Sequence, residues 1–123
     1  MKSTYPAAGR ISIWIGSFKT EDEFDRVVDE SLVPELGLPC HIADIVEITH
    51  EEHPKPIQEL LTGFSGDVTF MDAASLDAKI LGVDFATSAL VAYHLNVSEA
   101  QGSTIGELLF LGSYSGSDVP AEP

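Results

Sequence analysis

The sequence predicts a single-domain α+β fold: a mostly antiparallel sheet of about four strands with two or three helices packed on one side. Three observations lead there. Ile11, Ile13 and Ile15 alternate with Ser12, Trp14 and Gly16, the period-2 pattern of a strand with one buried face. Thr20 and Glu23 stand at the capping-box spacing, ahead of an i, i+3, i+4 stripe of Phe24, Val27 and Val28. Two apolar segments, 88–97 and 107–114, are joined by a polar connection without helical periodicity. Strands and helices that segregate in this way give α+β layering. The 123 residues leave room for one core, which falls within 10–114, between a flexible N-terminus over 1–9 and a mobile tail over 115–123. That tail has only Val119 as a sizeable apolar group, too little to offset about 1–2 kcal/mol of backbone entropy per ordered residue.

In chain order, the first strand covers residues 10–16. The helix after Thr20 buries Phe24, Val27 and Val28 and turns Glu21, Asp22, Asp25, Asp29 and Glu30 outward, which makes its outer face strongly acidic. Pro34, Gly37 and Pro39 reduce 31–39 to a short helical turn and a loop around Leu32, Leu36 and Leu38. Residues 45–49 are β-branched enough for a short strand, and Pro54 and Pro56 stop it. Pro56 suits the first turn of a helix that carries Ile57, Leu60 and Leu61 and ends at Gly63. Another helix follows Ser65-Gly66-Asp67 and carries Phe70, Ala73, Ala74, Ile80 and Leu81 up to Gly82. The strands 88–97 and 107–114 close the fold as an antiparallel hairpin with a long loop. Near-continuous apolarity gives 88–97 a central place in the sheet.

A formal charge of −14 repels phosphates and anionic lipid head groups, so neither nucleic acid nor a membrane is expected as a partner. No stretch approaches the roughly 20 apolar residues of a membrane span, and the N-terminal residues lack the apolar core of a secretory signal. Cys40 is the single cysteine, which excludes an intrachain disulfide and fits a cytoplasmic setting.

Few residues are arranged for catalysis. His50-Glu51-Glu52-His53 places two imidazoles at i and i+3 directly before Pro54, whereas the metalloprotease motif needs i and i+4 on a helix. Cys40, His41 and Asp44 are the residues that could complete a metal site there, but the bland reading is a solvated loop, and no metal or cofactor is expected. Gly63-Phe64-Ser65-Gly66 lacks the residue that a nucleophile elbow places between serine and the second glycine. Gly112-Ser113-Tyr114-Ser115-Gly116 ends a strand with no helix and no basic residue after it, unlike a phosphate-binding loop. The chain is therefore expected not to be an enzyme. The alternatives are a metal-dependent or hydrolytic enzyme using His50, His53 and nearby carboxylates, and an acidic scaffold protein.

What remains is the layout of charge. Between Lys19 and Glu35 seven acids face two bases, and no base follows Lys79. Such runs are commonly solvated faces kept for solubility. The functional reading is a footprint for a basic protein, since complementary fields speed association by about 10–10³. Its contact residues would be Glu21, Asp22, Asp25 and Asp29 on the helix and Glu51 and Glu52 beyond the second strand. Trp14, opposite the isoleucine face, is either the core of a second layer or an exposed anchor.

Ile11-Ser12-Ile13-Trp14-Ile15-Gly16-Ser17-Phe18, leading into an acidic helix, resembles the opening of the immunity protein 22 family of bacterial polymorphic toxin systems. Pro56-Ile57-Gln58-Glu59-Leu60-Leu61-Thr62-Gly63-Phe64-Ser65 is similar to that family's central segment. Phe70 with its alanines, the strand 90–95 and Phe110-Leu111-Gly112-Ser113-Tyr114 follow in the family's order, so that the resemblance spans roughly 10–114. The resemblance implies a small α+β protein without catalytic activity that binds and neutralises a cognate toxin. The sequence departs from the family over 38–43, which is apolar or neutral where a more acidic middle is expected.

Overall fold

Residues 2–116 are described by a computed structural model of the chain. Within them lies a five-stranded antiparallel sheet. The strands are β2 (Arg10–Gly16), β3 (Val46–Pro56), β4 (Phe85–Tyr93), β6 (Thr104–Ile105) and β7 (Leu108–Ser115), in the spatial order β3-β4-β2-β7-β6. Two short strands, β1 (Ser3–Thr4) and β5 (Asn96–Val97), pair beside it. The α+β class and the antiparallel sheet agree with the sequence reading.

The helices do not share one side. Ile11, Ile13 and Ile15 of β2 pack with Ile57, Leu60 and Leu61 of α3 (Ile57–Leu61) and with Phe70, Ala74 and Ala78 of α4 (Asp67–Ile80). Trp14 and Phe110 face the opposite way. They pack with Phe24 of α1 (Glu21–Val27), Val28 and Leu32 of a π-helical continuation (Val28–Leu32), and Leu36 of α2 (Val33–Leu36). The central strand is apolar on both faces because both are covered, so one-sided packing is corrected to a sheet between two helical layers.

Several other expectations change. The helix from Thr20 does not stop near Ser31 but reaches Leu36, where left-handed Gly37 ends it. In α geometry the Pro34 ring would meet the Glu30 carbonyl; the ladder widens just before it, with Val33 N–H bonding the Val28 carbonyl five residues back. Pro54 and Pro56 do not stop β3, because it is an edge strand where a missing N–H costs no ladder bond. The strands β4 and β7 are not hairpin neighbours, since β2 lies between them and pairs with both. Ile80 is 72 % exposed and Ala73 is exposed as well, because the buried line of α4 is Phe70, Ala74 and Ala78 at intervals of four. The N-terminus is paired rather than loose, with the Ser98 N–H on the Lys2 carbonyl (2.9 Å) and the Ser3 hydroxyl on that of Leu36 (2.7 Å). Of the predicted tail, Ser115 closes β7, and 117–123 lie outside the described residues.

Candidate functional site

The acidic helix forms as its sequence dictates. Thr20 has extended backbone, and its hydroxyl accepts the Glu23 N–H at 3.1 Å, while Glu21, Asp22 and Glu23 sit against the positive end of the helix dipole. Phe24 is buried, which turns Glu21, Asp22 and Asp29 fully outward and leaves Asp25 half-buried. Partial burial, then the like charges of Glu21, Asp29 and Asp22, push the Asp25 carboxyl above its usual range, against an opposing pull from His50.

His50 connects the helix to β3. Its ring stacks on Phe24 with centroids 6.4 Å apart, and its Nδ1 lies 2.7 Å from the Ser88 hydroxyl of β4. Beyond His50 the β3–β4 register jumps, so that residues 51–54 of β3 stand opposite Thr87 alone. This wide bulge carries Glu51 and Glu52, both exposed. The fold thus brings two acidic segments, far apart in sequence, to either side of the Phe24–His50 contact. Six of the seven residues read from the sequence belong to them.

Trp14 is the seventh, and the structure removes it from the surface. It is 0 % exposed, with its ring 5.1 Å from that of Phe110 on the neighbouring strand and the α1 layer over it. A large aromatic at the middle of a central strand has no route to a partner.

His50, Ser88 and the nearby Asp25 have the residue types of a hydrolytic triad, a grouping that sequence spacing could not reveal. However, Ser88 is 0 % exposed and its hydroxyl is held between His50 and the Thr87 hydroxyl at 3.1 Å. Thr87 in turn accepts the Phe18 N–H at 2.8 Å. The chain of hydroxyls fastens β3 and β4 to the segment entering α1, and no substrate reaches Ser88. Among the described residues, no three of His, Cys, Asp and Glu come together as metal ligands.

A second polar cluster lies on the other face of β3. Glu47 accepts the Ser65 N–H at 2.7 Å and the Ser65 hydroxyl at 2.8 Å, and the Tyr93 hydroxyl also bonds to it. Burial pushes the Glu47 carboxyl up, but these hydrogen bonds outweigh it and hold the carboxyl below its usual range. Burial, with the bond to Glu47, raises the Tyr93 phenol well above its ordinary value. Beside Glu47 a cleft of about 450 Å³ opens, lined by Ile48 and Thr49 of β3 and by Leu60, Thr62, Gly63 and Phe64. Nothing in the sequence marks Ser65 as a partner of Glu47, because the two are 18 positions apart.

Compared with protein-family models, curated proteins and solved structures, the chain matches none. Among the described residues no helix is long and apolar enough to cross a membrane.

Proposed function

We propose that this chain is a cytoplasmic immunity protein that neutralises a cognate polymorphic toxin by stoichiometric binding, without catalysis. The observation that carries the reading is the acidic face of Glu21, Asp22, Asp25 and Asp29, which the Phe24–His50 contact joins to the strand that carries Glu51 and Glu52. Partial burial and then the like charges of Glu21, Asp29 and Asp22 raise the Asp25 carboxyl and work against the folded state; a basic partner surface would relieve the repulsion. The resemblance over 10–114 supports the same reading, and the hydrogen bonds made by Ser65 give its Gly-Phe-Ser segment a role in holding the edge strand.

The test is co-expression with the protein encoded by the adjacent gene. Rescue of growth and a one-to-one complex on co-purification are expected. An adjacent product that is harmless alone, or toxicity unrelieved by this chain, would refute the proposal.

A further inference from the structure

We infer that the free edge of β3 over residues 46–50 is a strand-pairing site for an extended, cationic segment of the protein partner, an inference that rests on the toxin-binding reading above. In the sheet order β3 is terminal; the opposite terminal strand, β6, is only two residues long. The Tyr93 N–H donates to the Ile45 carbonyl at 2.8 Å, which sets the phase of the ladder. Antiparallel pairs alternate between bonded and unbonded positions, so Glu47 and Thr49 bond toward β4. Val46, Ile48 and His50 then direct their N–H and C=O groups outward, where no strand lies among the described residues.

Sheet edges are ordinarily blunted by bulges, charges and proline. From residue 51 onward β3 has all three, with the bulge, Glu51, Glu52, Pro54 and Pro56. Over 46–50 the protection is missing: the one carboxylate, Glu47, is occupied by Ser65 and Tyr93, and Ile48 is 46 % exposed. The cleft of about 450 Å³ lies on the Glu47 side of this edge, floored by Leu60 and Phe64. An added strand would lay alternate side chains into the cleft and the others against Ile48, so that main-chain bonds supply affinity and the cleft selects residues.

Charge selects the occupant. A second copy of this chain would bring −14 against −14 and place Glu51 and Glu52 close to its own acids. A segment rich in lysine or arginine meets the opposite charge of Glu51 and Glu52 at one end of this edge and of the chain as a whole.

The experiment titrates three octapeptides into the isotope-labelled protein and follows its amide signals. One alternates lysine and valine, one glutamate and valine, and one repeats the lysine–valine sequence with every main-chain nitrogen methylated, the last keeping the charge but unable to donate main-chain bonds. The lysine–valine peptide is expected to perturb Val46, Ile48 and His50, and the other two to bind about tenfold more weakly or worse. Ile48→Pro removes an outward N–H without touching the ladder to β4, and should lose the same tenfold with its melting temperature held. Equal binding of the N-methylated peptide, perturbations confined to α1, or undiminished binding by Ile48→Pro would overturn the inference. The two readings separate in co-expression. Full protection by Ile48→Pro would sink the edge site and leave toxin binding standing. Peptide pairing without protection would do the reverse.

Discussion

Ser65 gives both its backbone N–H and its hydroxyl to the Glu47 carboxylate, at 2.7 and 2.8 Å, and so ties the loop ahead of α4 to the edge strand β3. Tyr93, one strand further in, closes the cluster with its hydroxyl on the same carboxylate and 2.9 Å from the Ser65 carbonyl oxygen. A charged acceptor satisfied from three directions fixes β3 more firmly than its edge position would.

Acid stability should therefore report on Glu47. Its folded pKa lies below the usual 4.5, so the stability it contributes is complete above about pH 4.5 and is lost as pH falls through the folded value. Glu47→Gln keeps the shape but loses the charge, and should cost about 1–3 kcal/mol at pH 7. The gap to the parent should shrink in melts at progressively lower pH. Tyr93→Phe should narrow the same pH dependence by letting the Glu47 carboxyl rise. A Glu47→Gln deficit that stays constant down to pH 3 would show that the charge contributes nothing.

The helix phase predicts a sharp contrast between neighbours. Val28 is 7 % exposed in the layer beneath Trp14, whereas Asp29, one position on, is exposed. Val28→Asp should be severely destabilising, on the order of 3 kcal/mol or more, because it places an unpaired charge in an apolar interior. Asp29→Lys should lie within about 0.5 kcal/mol of the parent. Denaturant melts of the two variants decide the point.

Much of this architecture was legible because its signals are local. The alternation over 10–16, the Thr20 cap and the Phe24–Val28 stripe name their own structure within a few residues. What is not legible is decided by distant chain. Nothing near Trp14 shows that α1 returns to cover it, and nothing between β4 and β7 shows that β2 separates them. Pro54 reads as a strand stop unless the strand is known to be an edge. The acids of the candidate surface are visible as composition, but the link between their two segments is the Phe24–His50 contact, 26 residues apart. Separations of 18, 46 and 38 residues likewise hide Glu47–Ser65, Glu47–Tyr93 and His50–Ser88.

Burial of Trp14 turns the strand motif into a packing requirement. Trp14→Ala should cost about 3–5 kcal/mol, the range for emptying a large aromatic site. At Gly16 a Cβ would stand 2.7 Å from both the Glu107 carbonyl oxygen and the Phe18 ring. Gly16→Ala should then cost about 1–3 kcal/mol through overpacking. If Trp14→Ala instead kept its melting temperature and lost only toxin protection, Trp14 would belong to an interface after all.

The two histidines of the 50–53 segment should separate. His53 is exposed on the bulge, and His53→Ala should leave stability unchanged. His50→Ala leaves the buried Ser88 hydroxyl with the Thr87 hydroxyl alone and removes the ring stacked on Phe24, and should cost about 1–3 kcal/mol. Metal analysis of the purified parent should find no stoichiometric zinc. One tightly held ion per chain, lost in His53→Ala, would contradict this.

The acidic surface predicts that binding and stability respond in opposite directions. Asp25 has a folded pKa above its usual 3.8, so its charge disfavours the folded state above the folded value and ceases to do so below the unfolded one. Asp25→Asn should therefore melt slightly higher than the parent at pH 7 and equally below about pH 3.8. Association with the toxin should meanwhile slow, because exposed charges act mainly on the encounter rate and are screened beyond about 8 Å at physiological salt. In stopped-flow mixing, the parent's on-rate should fall steeply as salt rises while its off-rate changes less. Reversal of Asp22 and Asp25 to lysine should flatten that salt dependence and weaken protection without lowering the melting temperature, since exposed ion pairs add little to stability. A residue that costs stability but speeds association is retained for the partner. Were the parent's on-rate independent of salt, or the doubly reversed variant fully protective, the helix face would not be where the toxin lands, leaving the outer edge of β3 as the contact.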